Sequence, residues 1–328
     1  MLALLIILAF IFIIGLSIGS FLNVVILRSL SEESIVFPAS KCPKCQNPLK
    51  WWHNIPVISY ICLGGKCAFC KEKISIQYPI IELVTGIIFT LLFLKFGFSI
   101  QTLYAWIISA VLVVIAGTDI KEKVVFDLHT YILMGLGLLS SIVLTILALI
   151  AVNKGANIPN LTWINNPITM SIFGALLGAI IMEIFARLGY LVAGTRAFGE
   201  GDTLIAAGLG AIFGWQSLII ALILSVIIQV IIFLPIFVRG MVVNKEWKTL
   251  ISFVSFVIYA ITFYTLQNMK LINSDNFLVY TVGAFVLAVL GIVTCIFIFK
   301  DLRENPNNRT YLPFGPAMVI AGFILLLV

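Results

Sequence analysis

MLALLIILAFIFIIGLSIGSFLNVVIL, residues 1–27, is apolar almost throughout, and no basic residue precedes it. A secretory signal would start basic and hold an apolar stretch of only about 7–15 residues. Here the charge, Arg28, comes after the segment. A bilayer core asks for about 20 consecutive apolar residues. The stretch therefore reads as an uncleaved first membrane helix with its N-terminus outside.

The remaining chain reads the same way. It is 62% hydrophobic and 10% charged, with a mean hydropathy of +1.17, whereas soluble domains carry about 25% charged residues. Further apolar runs fall near 79–98, 101–117, 128–152, 168–193, 203–214, 216–238, 250–267, 277–299 and 311–328. The expected fold is all-α: a polytopic integral membrane bundle of about eight to ten transmembrane helices. The 203–214 run is too short to cross alone unless it borrows from its flanks. No internal repeat and no low-complexity tract stands out.

Charge sets the expected orientation. With the N-terminus outside, the inside loops carry sixteen of the twenty Lys and Arg residues, including Arg28, Lys41, Lys121, Arg196, Arg239 and Arg309. Lys95, Lys154 and Lys270 fall outside, and Arg187 lies within a helix toward its inner end. Positive charge marks the cytoplasmic side, so the 28–78 loop is expected there. The net charge of +6 is spread over several loops rather than gathered in one stripe, which argues for topology and against nucleic-acid binding. The polar connector near 153–167 shows no chemistry.

That long loop holds two C-x2-C pairs, Cys42-Pro43-Lys44-Cys45 and Cys67-Ala68-Phe69-Cys70. A reducing compartment disfavours disulfides, and two such knuckles suit one tetrahedral Zn2+ with a closed four-thiolate shell, a structural arrangement. The 21 residues between the pairs are one more than the usual spacing of about 15–20. The other reading of the four thiols is a redox dithiol pair. Cys62 and Cys295 read as apolar filler, and His53 as a hydrogen-bonding residue of the loop.

The chain has five aspartates. Asp119 follows Ala116-Gly117-Thr118 at the exit of the third helix, and Asp202 closes Gly199-Glu200-Gly201-Asp202 at the entry to the 203–214 run. Ionisable groups at membrane depth are costly and usually functional. Two carboxylates brought together share a proton, so one can activate a water while the other polarises a carbonyl. The glycines ahead of Asp202 would let a substrate strand approach closely. The bland alternative is a pair of interfacial carboxylates near Lys121, Lys123 or Arg196.

Several stretches together resemble the type IV prepilin peptidases, the aspartic membrane proteases that mature pilins and type II secretion pseudopilins. They are Gly19-Ser20-Phe21-Leu22-Asn23-Val24-Val25 ending at Arg28, the two cysteine pairs, Trp51 to Tyr60, Ile74-Ser75, and Tyr78-Pro79-Ile80-Ile81-Glu82-Leu83 with Thr85-Gly86. Downstream, Asp119 to Asp127 looks like the family's D-x7-D stretch, Gly199 to Asp202 like its G-x-G-D, and Pro313-Phe314-Gly315-Pro316 like its C-terminal motif.

The resemblance implies a first helix at 1–27, a cysteine lobe at 28–78 within an N-terminal domain of about 19–98, and a peptidase domain at 101–328. It implies a bacterial inner-membrane enzyme that cleaves prepilin leaders on the cytoplasmic side, with Asp119 and Asp202 catalytic and the lipid bilayer as its setting. Members with the four-cysteine lobe also N-methylate the new N-terminus from S-adenosylmethionine, while members without it only cleave. Cys42, Cys45, Cys67 and Cys70 thus favour the bifunctional branch, with zinc structural.

Two features depart from the family pattern. Phe126 stands where the family has proline, so altered loop geometry is expected. The chain also exceeds the eight-helix form, as if two helices were inserted between about 239 and 300. Rival readings are a cleavage-only G-x-G-D protease of the presenilin type and a membrane scaffold or transporter with a zinc-bound lobe. The first would carry Pro-Ala-Leu near the C-terminus, where this chain has Pro313-Phe314-Gly315-Pro316. The second would show no prepilin cleavage.

Overall fold

A computed structural model of the chain describes residues 2–37, 39–154, 166–193, 198–268, 277–304 and 313–328. Most of the polar connector near 153–167, Arg196, Lys270, Arg309 and the side chain of Cys295 lie outside the described residues.

The helices are α1 (Leu2–Leu30), α2 (Ile58–Cys62), α3 (Gln77–Phe96), α4 (Ile100–Glu122), α5 (Asp127–Asn153), α6 (Pro167–Ala193), α7 (Glu200–Val243), α8 (Trp247–Asn268), α9 (Phe277–Glu304) and α10 (Gly315–Leu327), with a 3-10 turn at Trp51–Asn54. Among the described residues there is no sheet, only the isolated bridges Lys41–Pro48 and Lys66–Lys73. The all-α expectation holds.

Among the described residues, seven helices are long and apolar enough to cross a membrane, and α10 and the Thr281–Thr294 part of α9 are shorter apolar helices. The chain is a multi-pass membrane protein. Helix α7 has 44 residues, roughly 66 Å at 1.5 Å per residue, about twice a bilayer core. It does not run straight: Gly214 has φ 76° and ψ 169°, a conformation essentially confined to glycine. The break falls between the two apolar runs expected at 203–214 and 216–238.

The chain forms two compact units, one of Met1–Ala186, Phe198–Ile228 and Pro313–Val328, the other of Arg187–Ala197 and Gln229–Leu312. In the first, α1 and α3 pack with their backbones touching. A Cβ on Gly15 would lie 2.7 Å from Gly86 Cα, and one on Gly19 would lie 2.8 Å from Glu82 Cα. In lipid, where apolar surface gains nothing by leaving the solvent, such close packing is what holds helices together.

The core of this unit is built from Ile108, Leu112 and Ile115 of α4, Leu133 of α5, Ile205 and Leu209 of α7, and Met318 of α10, all fully buried. Phe10, Leu91 and Ile107 face outward, as lipid-facing side chains do. Helix α4 starts at Ser99, whose hydroxyl accepts the Thr102 N–H at 3.3 Å. The far end of α10 is tied down where Lys95 Nζ donates to the Leu326 carbonyl at 3.1 Å.

In the second unit α8 and α9 form a packed pair. Tyr259 donates to the Gly283 carbonyl at 3.2 Å, and Ser252 and Thr294 share a hydroxyl hydrogen bond of 3.0 Å.

Candidate active site and candidate metal centre

Asp119 occupies the last full turn of α4. That turn is closed by Lys123, which takes a left-handed conformation (φ 56°) and returns its N–H to the Asp119 carbonyl at 2.9 Å. Asp202 sits in the first turn of α7, where its Oδ2 accepts the Gly199 N–H at 3.0 Å. This is half of a capping box, with the third helical residue reaching back to an otherwise unpaired amide. The two side chains are 5% and 6% exposed. They come from the ends of different helices and lie close enough for their charges to interact.

The third contributor is the start of α10. The Gly315 amide acts on the Asp119 carboxylate, while Asp119 Oδ2 is fully buried with no hydrogen-bond partner among the described residues. A buried acceptor left open is unusual and asks for a function.

The other acidic residue of the D-x7-D stretch stands apart. Asp127 is exposed at the first residue of α5, where a carboxylate favours the helix N-terminus. Phe126 before it has φ −81°, near the value of about −65° that a proline ring imposes. Its ring packs edge-on against buried His129 at 5.8 Å. Gly201 serves packing: the first turn of α7 comes close to the connector before α5. A Cβ there would lie 2.5 Å from Val125 Cβ, so α7 presses its first turn onto the 123–126 connector.

The cysteine lobe contains a small repeat that the sequence reading missed. In the first knuckle Cys42 N donates to Asn47 O at 3.0 Å and Gln46 N to Cys42 O at 2.9 Å; in the second Cys67 N donates to Glu72 O at 2.8 Å and Lys71 N to Cys67 O at 3.1 Å. Gln46 and Lys71 both have positive φ, 58° and 62°. The signal was the equal spacing of each bridge around its C-x2-C pair. The four sulfurs of Cys42, Cys45, Cys67 and Cys70 lie within 4.8 Å of one another and could hold a metal ion. Cys42 Sγ and Cys70 Sγ are 3.8 Å apart. Four ligands at about 2.3 Å in a tetrahedron place their sulfurs about 3.8 Å apart, so the donor set fits zinc.

The thiols are already differentiated. The Cys70 and Phe69 amides bonded to the Cys67 sulfur hold its pKa down to about 6. At Cys70 the Glu72 amide pulls downward, but burial and the neighbouring sulfurs outweigh it and push the thiol up to about 11. Cys62 is exposed rather than serving as apolar filler. It lies on the short helix α2, too small to bury a face of its own. His53 accepts the Lys50 N–H at 3.4 Å and packs edge-on between Trp52 and Phe69.

Sequence reasoning also gave no role to a polar cluster where the lobe meets α1 and α3. Glu82, 6% exposed, accepts the Val57 N–H at 2.7 Å and a hydrogen bond from Ser20. Asn23, 1% exposed, donates to the Tyr78 and Gly19 carbonyls at 3.1 and 3.3 Å. Two carboxamide or carboxylate residues buried beside a glycine contact were visible in the sequence, but only as parts of a motif.

Residues 13–96 match the Bacterial Peptidase A24 N-terminal domain, and residues 106–234 match the Type IV leader peptidase family. Relatives that carry the name Prepilin leader peptidase/N-methyltransferase include the following three. The protein of Myxococcus xanthus is 33% identical over 215 residues, covering 64% of this chain and 57% of that protein. That of Neisseria gonorrhoeae is 33% identical over 230 residues, covering 63% and 74%. That of Klebsiella pneumoniae is 32% identical over 216 residues, covering 64% and 86%. No solved structure matches the chain. The chain belongs to the type IV leader peptidase family.

Proposed function

We propose that this chain cleaves the leader from type IV prepilins or pseudopilins at the cytoplasmic face of a bacterial inner membrane and N-methylates the new N-terminus. The observation that carries the reading is the convergence of Asp119 and Asp202, from the ends of α4 and α7, in a buried pair with one open carboxylate oxygen. The relatives' shared name supports both activities.

In this reading the substrate's apolar helix stays in the bilayer and its basic leader reaches the cytoplasm. The aspartates hold a water between them. One takes the water's proton as the oxygen attacks the carbonyl at the leader junction, and the other donates a proton to the carbonyl oxygen. Held beside apolar Ile205 and Phe314, the pair works where its charges are poorly screened, which strengthens their effect on the developing oxyanion.

Zinc would be held by Cys42, Cys45, Cys67 and Cys70, joining the two knuckles of a lobe that has almost no buried apolar core. S-adenosylmethionine would supply the methyl group. The groove of about 380 Å³ between α1 and α3 does not fit that cofactor, since Leu5, Leu8, Phe12 and Leu91 line it and Thr90 alone is polar. We read the α8–α9 pair as the surplus of a two-helix insertion, a reading supported by the family match ending at residue 234.

A co-expressed prepilin weighed by mass spectrometry tests both activities at once. Loss of the leader together with one added methyl is expected. An intact precursor beside correctly inserted protein would sink the peptidase reading, and cleavage without methylation would leave the chain in the cleavage-only class.

A further inference from the structure

We propose that Phe314-Gly315 is the positioning element of the aspartate pair: Phe314 holds the turn that carries Asp202, and Gly315 seats the Asp119 carboxylate by having no side chain. The inference rests on the reading of Asp119 and Asp202 as the hydrolytic pair.

Phe314 is 8% exposed, and its ring meets that of Phe198 edge-on at 5.1 Å. Phe198 immediately precedes Gly199, the residue whose N–H bonds Asp202 Oδ2 at 3.0 Å. The next residue along the motif turns to the other aspartate. A Cβ on Gly315 would collide with Asp119 Oδ2, lie 3.1 Å from Asp119 Cγ, and lie 3.2 Å from Ile205 Cδ1. Ile205 stands one turn beyond Asp202 on α7. Two consecutive residues therefore touch both halves of the site.

Glycine is not needed here for its backbone freedom. Among the described residues the positive-φ glycines are Gly64, Gly65, Gly97 and Gly214, and Gly315 is not one of them, so an L-residue could adopt its conformation. What excludes a side chain is the Asp119 carboxylate. The start of α10 has no room to retreat, because Ala317 and Met318 are fully buried and bond back to the Phe314 carbonyl at 3.1 and 3.2 Å. A methyl at 315 would be accommodated by turning the carboxylate aside. The helix would fold, and Asp119 would point elsewhere.

The test compares Gly315→Ala with Gly322→Ala in the full-length protein, using a prepilin substrate and following kcat, KM, the pH–rate profile and the thermal midpoint in detergent. Gly322 lies on the same helix against Leu209 and Leu112, at 3.0 and 3.5 Å from a built Cβ, and away from either aspartate. For Gly315→Ala we expect kcat to fall about 10²-fold, the cost of an ångström-scale misplacement, with KM within about twofold and a changed acid limb of the profile. Gly322→Ala should keep kcat within about threefold while packing less well.

Phe314→Leu, which keeps an apolar side chain but loses the ring contact, should lower kcat about tenfold by the same route. It decides the matter if Gly315→Ala does not fold. Wild-type protein that cleaves no prepilin would overturn the peptidase reading and this inference with it. Wild-type cleavage with kcat kept within about threefold in Gly315→Ala, or in Phe314→Leu when the former misfolds, would overturn the inference alone. So would equal loss in Gly322→Ala.

Discussion

Glu82 Oε2, buried on α3, accepts the backbone N–H of Val57 at 2.7 Å. Val57 has φ 62° and ψ −49°, a conformation that a β-branched residue rarely takes and that costs of order 1–3 kcal/mol. A carboxylate rooted in a packed helix thus holds a strained residue of the loop lobe, tying the lobe to the pair of helices beside it.

Glu82→Ala should release this tie. Loss of the acceptor leaves the Val57 amide unpaired, a penalty of about 1–3 kcal/mol, and faster proteolysis within residues 55–65 would report it. Glu82→Gln keeps an acceptor and should be milder. Adding Val57→Gly to Glu82→Ala should restore part of the protection by removing the strain. No recovery in the double variant would argue against strain as the cause.

Asp119→Asn and Asp202→Asn should each lower leader cleavage by about 10²–10⁴-fold, the range for removing a general acid or base, with membrane insertion intact. Asp127→Asn should be milder, since Asp127 is exposed at the start of α5. Prepilin processing in membranes measures all three, and an equal loss at Asp127 would move the assignment.

The cysteine lobe should carry one zinc per chain, read by elemental analysis of purified protein. Removing it with a strong chelator, or changing Cys42 to Ser, should speed proteolysis within 41–73 about tenfold or more, because structural zinc supplies the folding energy of such lobes. The membrane helices should stay protected. A lobe equally resistant without metal would point to the dithiol alternative.

Gly201→Ala should impair cleavage by forcing the first turn of α7 off Val125, whose Cβ would lie 2.5 Å from the new methyl. Val125→Gly in the same chain should recover activity, because it opens the space the methyl needs. Failure to recover would return Gly201 to the role of admitting substrate.

Gly214→Ala should lower the thermal midpoint in detergent. The residue's φ of 76° with ψ of 169° is essentially closed to side chains, at a cost of about 1–3 kcal/mol. An unchanged midpoint would mean that the break in α7 relaxes without penalty.

Much of this architecture was legible because its signals are local. Apolar run lengths gave the helices, and Gly214 divides α7 where the two runs meet. The C-x2-C pairs foretold a cluster because two tight knuckles can close on one ion. Cys62 was misread because a lone cysteine in a polar loop carries no sign of its exposure. The packing of Gly201 against Val125 was not legible, because a glycine that admits a substrate and one that admits a neighbouring connector look the same in one dimension. The roles of Glu82 and Phe314 were hidden for a related reason, since their partners Val57 and Phe198 are 25 and 116 residues away.

By itself the sequence determined that this is a multi-helix membrane chain with a four-thiol loop and aspartates at two helix ends. Hydropathy, charge and residue chemistry act over a few neighbouring positions and survive in the linear order. Only the tertiary structure decided that Asp119 and Asp202 share one buried place, that Gly315 lies against the Asp119 carboxylate, and that Glu82 holds Val57. Those facts depend on which helices pack against which, and at what depth, and packing joins residues that the chain keeps far apart.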